Sequence, residues 1–113
     1  MTQPDFDKLC KRWQKRLRMQ NWKITARMKN AEAMGPNNGF VEFEITHLSA
    51  DVDILETLDD AKLERTVIHE FLHLMLAHWE FPESDRAQGD AQETAINVLA
   101  DSFYALAPRR RNK

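Results

Sequence analysis

Residues 68–81 read IHEFLHLMLAHWEF, and the rest of the chain is best read outward from them. Val67, Ile68, Phe71, Leu72, Leu74, Met75 and Leu76 make the segment apolar nearly all round, the pattern of a helix buried on most sides. Yet its middle carries His69, Glu70 and His73. An α-helix turns about 100° per residue, so side chains four apart stand nearly above one another, with roughly 6 Å of rise between them. Both imidazoles can therefore meet one cation. Glu70 sits beside that stripe, where its carboxylate can reach a water at the cation without ligating the cation itself. Buried polar groups without partners cost about 1–3 kcal/mol each, and a charge more, so a bound cation accounts for the three residues better than packing does.

The segment has its own start and stop signals. Thr57 followed by Asp60 predicts a capping box, Asp59 and Asp60 complement the positive helix end, and Pro82 stops the run after Trp79 and Phe81. A catalytic zinc commonly takes three protein ligands and keeps a fourth position for water, so two histidines are an incomplete set. His78 lies five residues beyond His73, about 140° further round a continuous helix, and faces elsewhere. Glu80, Glu83 and Asp85 fall in or near the connecting turn, where solvation is the expectation. A second helix is predicted from about Arg86 or Ala87 to Leu106, with Ile96, Leu99, Phe103 and Leu106 at helical spacing. It must fold back across the first. Glu93 lies beside its apolar stripe, one turn before Asn97, and is the expected third ligand.

Before the motif the pattern changes. From Pro4 to about Met19, Phe6, Leu9, Cys10, Trp13 and Leu17 recur at helical spacing and predict an amphipathic helix docked by one face. WKITARMK then alternates Trp22, Ile24, Ala26 and Met28 with polar residues, as a half-buried strand does. AEAMGPNNG reads as a loop, on its Gly-Pro step and Asn-Gly pair. FVEFEITHL and SADVDIL alternate again, as two strands or as one long bent strand. Short connections predict a mostly antiparallel sheet. The fold class expected is α+β: an N-terminal helix, a small mostly antiparallel sheet, the motif helix and a C-terminal helix. At 113 residues this is one domain, taken as residues 1–107, followed by a basic, disordered tail over 108–113.

Composition narrows the function classes. The formal charge of −2 argues against general nucleic-acid affinity. Lys8, Lys11, Arg12, Lys15, Arg16 and Arg18 on the first helix read instead as a solvated face. The lone Cys10 lies on the apolar stripe, so a buried thiol in a reducing compartment is expected. MTQPDFDK lacks the apolar core of a secretory signal and no segment is long enough to cross a bilayer, which makes the cytoplasm the expected location.

IHEFLH followed by a second helix bearing QETAIN resembles the zincin metallopeptidases, more narrowly the gluzincin type, whose third ligand is a downstream glutamate. The order of helix, short strands, motif helix and closing helix is also similar to small prokaryotic and phage zincin-like domains, including the ImmA type that cleaves repressor proteins. His69, Glu70, His73 and Glu93 match residue by residue. The chain lacks the extra subdomain that walls the substrate cleft in large gluzincins, and no metzincin-type third histidine follows His73.

The resemblance implies a zinc-dependent peptidase: Zn2+ held by His69, His73 and Glu93, and Glu70 as general base towards a peptide or protein substrate. An oxyanion donor is expected among His47, His78 and Tyr104, and acceptors for the histidine N–H groups at Asn97 or Asp101. In related zincins an extended peptide pairs with the edge strand before the motif helix, the place that ADVDIL occupies here. The alternative is a non-catalytic zincin-like module in which zinc is structural and the surface binds a protein partner.

Overall fold

A computed structural model of the chain describes residues 1–77 and 86–108. The elements run α1 (Gln3–Arg16), β1 (Lys23–Lys29), α2 (Ala31–Met34), β2 (Gly39–Glu44), β3 (Ser49–Leu55), α3 (Asp60–Met75) and α4 (Arg86–Leu106), an α+β fold. His78, Trp79, Pro82 and residues 109–113 of the expected basic tail lie outside the described residues.

Helix α1 begins where the side chain of Thr2 accepts the backbone N–H of Asp5 at 3.2 Å, with Pro4 in the first turn. Its stripe of Phe6, Leu9, Cys10, Trp13 and Leu17 is buried, as the spacing predicts. The helix ends at Arg16, and Arg18 takes a left-handed conformation at φ 59°. The side-chain amide of Gln14 holds that turn by donating to the carbonyls of Met19 at 2.9 Å and Trp22 at 2.7 Å. From there β1 starts.

The sheet has the order β1-β3-β2. Strand β3 is central, parallel to β1 and antiparallel to β2. The sheet is thus mixed, not mostly antiparallel. The reason lies in residues 31–34, read from sequence as loop: capped by the Asn30 side chain, they form the one-turn helix α2, and the chain crosses over before β2. A place beside β1 is left for β3. A second correction follows, since ADVDIL lies in the middle strand and both of its edges are taken. The open edge beside the motif helix belongs to β2, which pairs on one side only among the described residues. Nor do β2 and β3 merge into one bent strand; they are separated by a turn ending at Leu48, φ 49°.

One face of the sheet points Val52, Ile54 and Ala50, flanked by Val41 and Phe43 of β2 and Ile24, Ala26 and Met28 of β1, into a single core. Helix α3 lies on β2 and β3, α1 lies on β1 and α3, and α4 lies on α3. Asp59, two residues later than the cap read from Thr57, starts α3 by accepting the Lys62 N–H at 2.8 Å. The helix ends at Met75, short of Pro82, where Leu76 leaves the helical region. Leu63, Val67, Ile68 and Phe71 are fully buried and fix its rotation.

On α4 the buried stripe is Ile96 and Ala100, continued by the half-buried Phe103 and Ala107; Leu99 and Leu106, expected inside, are 40% and 81% exposed. Ala100, 3% exposed, takes the inward place one turn after Ile96, while Ala91, Ala95 and Ala105 face outward. Glu93 stands one turn before Ile96, on this inward line rather than beside it.

The Trp13 indole N–H donates to Glu64 Oε2 at 2.7 Å, tying α1 to the motif helix. Trp13→Phe keeps most of the packing but loses this charge-assisted bond, and chemical denaturation is expected to register a loss of about 1–3 kcal/mol. A change below about 0.5 kcal/mol would show that packing alone joins the two helices.

Candidate metal centre

Helices α3 and α4 run antiparallel, as two pairings show. Arg65 Nε lies 3.8 Å from Asp101 Oδ1 at one end, and His73 lies against Glu93 at the other. This register brings Glu93 to both histidines. Its Oε2 is 2.8 Å from His69 Nε2 and its Oε1 is 3.2 Å from His73 Nε2, while the two Nε2 atoms are 3.2 Å apart. The imidazole rings meet edge to face at 64°, centroids 4.9 Å apart.

These three distances can be compared with what a metal requires. Ligand atoms about 2.0–2.1 Å from a tetrahedral ion stand about 3.3 Å from one another. Each histidine nitrogen meets a different oxygen of Glu93, and these contacts of 2.8 and 3.2 Å, with 3.2 Å between the two nitrogens, are of that size. The donor set also fits, for two imidazole nitrogens and a carboxylate oxygen suit zinc and other divalent ions. His69, His73 and Glu93 are the group among the described residues whose ligand atoms could hold a metal ion. Their side chains are 19%, 26% and 48% exposed, so the fourth side of such an ion would be open to solvent.

Glu70 does not join the triangle. It is 8% exposed, the one charged residue in the core of the described chain. Burial, helped by the charge of Glu93, pushes its pKa up from 4.5 to about 7. Strand β2 closes over it at Gly39. A Cβ placed there would stand 2.7 Å from Glu70 Oε2 and 2.8 Å from Thr66 Cγ2, so only glycine lets the strand backbone lie against the carboxylate. Sequence reading took Asn38-Gly39 as a turn signal and missed this role. The local signal was there, a glycine opening an alternating strand.

Two clefts meet at Gly39, His69 and Glu70. One, of about 340 Å³, extends along β2 past Phe40 and Val41 and includes His73 and Glu93. The other, of about 380 Å³, runs the opposite way between α3 and α4, past Thr66, Arg65 and Lys62. Of the remaining residues singled out in the sequence, Asn97 lines the second cleft and Asp101 lies in its wall, paired with Arg65 rather than with a histidine. Tyr104 is half-buried beneath the Arg65 guanidinium, 5.1 Å from ring centroid to Cζ, and lines neither cleft. His47 is exposed in the β2–β3 turn and also lines neither. Cys10 takes no part; burial, with Asp7 nearby, raises its thiol to about 12 and keeps it protonated.

Two outcomes are expected. In metal-free protein the folded state binds a proton at Glu70 more tightly than the unfolded chain does, because the pKa rises from 4.5 to about 7 on folding. That stability is fully present at low pH and is lost as pH rises through about 7, a total on the order of 3 kcal/mol. Glu70→Gln should flatten this part of the pH profile in denaturation experiments on chelator-treated protein; an unchanged slope would mean that another group sets it. Gly39→Ala should destabilise by about 1–3 kcal/mol, because Thr66 is too stiff to move aside.

Comparison with protein-family models, with curated proteins and with solved structures returned no match, so the geometry of His69, Glu70, His73 and Glu93 carries the functional reading.

Proposed function

We propose that the protein is a zinc-dependent peptidase, a hydrolase of the zincin kind. The observation that carries this reading is the triangle of His69, His73 and Glu93 with Glu70 buried beside it, outside the ligand set. Two features favour catalysis over a structural ion. A structural zinc is usually closed by four protein ligands, whereas the group among the described residues offers three and faces a cleft. And a buried carboxylate with a pKa near 7 suits a general base more than a fold, which it destabilises when ionised.

Zinc in this triangle would supply positive charge to polarise a carbonyl and to lower the pKa of a water towards about 7. The rest is the work of the chain. A locally unfolded peptide adds to the open edge of β2, whose backbone groups read the peptide backbone. Glu70 takes a proton from the attacking water as the new C–O bond forms and the carbonyl electron pair moves to oxygen. Glu70 then returns that proton to the amide nitrogen as the C–N bond breaks, so the acid ends as it began. Burial by Gly39 holds the carboxylate in one place for both transfers.

No helix among the described residues is long and apolar enough to cross a membrane. The lone buried thiol of Cys10 suits a reducing compartment, and we place the protein in the cytoplasm on that ground.

The purified protein should hold about one zinc per chain. Quenched-fluorescence peptides should be cut by the zinc-loaded form, and Glu70→Gln should lower kcat by at least about a hundredfold while keeping the metal. Glu93→Ala should weaken zinc binding. Full metal retention without turnover of any peptide, together with a melting temperature that collapses on chelation, would support the structural-zinc, partner-binding module instead.

A further inference from the structure

The cleft that leaves the metal centre between α3 and α4 has no part in the hydrolytic chemistry, yet it opens on His69 and Glu70 and carries two cations. Lys62 and Arg65 lie three apart on α3 and so share one face of it. Lys62 makes no ion pair among the described residues. Arg65 is held without being used up: its guanidinium lies over the Tyr104 ring, and its contact with Asp101 is 3.8 Å long to a carboxylate 73% exposed. Asn38 and Asn97 add amide donors across the cleft. Against two positive charges the outer part holds one negative one, Asp101. Glu70, the other acid in the wall, is at the inner end, eight residues from Lys62, roughly 12 Å of helix rise away.

We propose that this cleft is a specificity subsite for a carboxylate of the substrate, carried by an Asp or Glu side chain or by the peptide's C-terminus; the proposal rests on the peptidase reading above. The cations set the spacing. Arg65 and Lys62 stand one and two turns before His69, roughly 6 and 10 Å along α3. An extended peptide advances about 3.3 Å per residue, so the acidic group belongs about two to three residues from the bond that is cut. An amide of the same shape would leave the cleft's excess positive charge, two cations against Asp101, unmatched, which makes the site selective as well as attractive.

The test uses zinc-loaded full-length protein and matched peptides differing only by Glu against Gln, some with free and some with amidated C-termini. The acidic peptide should show kcat/KM about tenfold above its amide twin, and the ratio should fall as salt rises. Lys62→Glu with Arg65→Glu should bring the ratio to one or invert it. Should the double variant fail to fold, Lys62→Glu alone, at an exposed side chain, should lower the ratio by about threefold. Dependence on the amidated or free terminus tells which carboxylate is read. Fluorescence anisotropy of the same peptides on Glu70→Gln protein separates this proposal from the peptidase reading: acidic preference in binding, lost on charge reversal, sustains the subsite even if nothing is cut. Equal binding and turnover of both twins, or a preference that survives charge reversal, overturns it.

Discussion

The molecule depends on the antiparallel register of α3 against α4. Helix periodicity alone sets His69 above His73, but the group that could hold a metal ion needs a third side chain, and Glu93 comes from a different helix about twenty residues on. The register is a packing result: Val67, Ile68 and Phe71 of α3 and Ile96 and Ala100 of α4 are buried in the same core. A slip of one turn would carry Glu93 roughly 5 Å away from the imidazoles and break both contacts to it. Core burial and site geometry are therefore one constraint. The same packing seats Arg65 against Asp101 and Tyr104, which fixes the far end of the helix pair.

The sheet contributes by proximity. Strand β2 lies so close to α3 that Gly39 has no room for a side chain, and this contact strips water from Glu70. Desolvation raises its pKa, and a cation held by His69, His73 and Glu93 would lower it again, the balance on which the proposed proton transfers rest. Placing the same strand at an open edge puts unpaired backbone groups next to the acid.

Much of this was legible in the sequence, for identifiable reasons. The H-E-x-x-H spacing is read through helix geometry, so His69, Glu70 and His73 fall where periodicity puts them. Glu93 was legible because it lies beside the stripe that Ile96 begins, although the inward line runs through Ala100 rather than Leu99. A single alanine carries too little apolar weight to reveal that Ala100, not Leu99, is the buried position. Strand order was not legible: alternation tells which face of β3 is buried, as Val52 and Ile54 are, but says nothing about which strands flank it. The crossover turned on one turn of helix, Ala31–Met34, too short to leave a periodic trace. Gly39 and the Lys62–Arg65 wall were missed because their roles exist only after β2, α3 and α4 meet.

Whether three side chains on two helices share one cation can be read from X-ray absorption at the zinc edge of the purified, zinc-loaded protein. The expected shell holds two imidazole nitrogens and carboxylate oxygen at about 2.0–2.1 Å, with the remaining coordination from a light solvent atom, and loses one oxygen scatterer in Glu93→Ala. A shell closed by a third imidazole, or a spectrum that Glu93→Ala leaves unchanged, would contradict it.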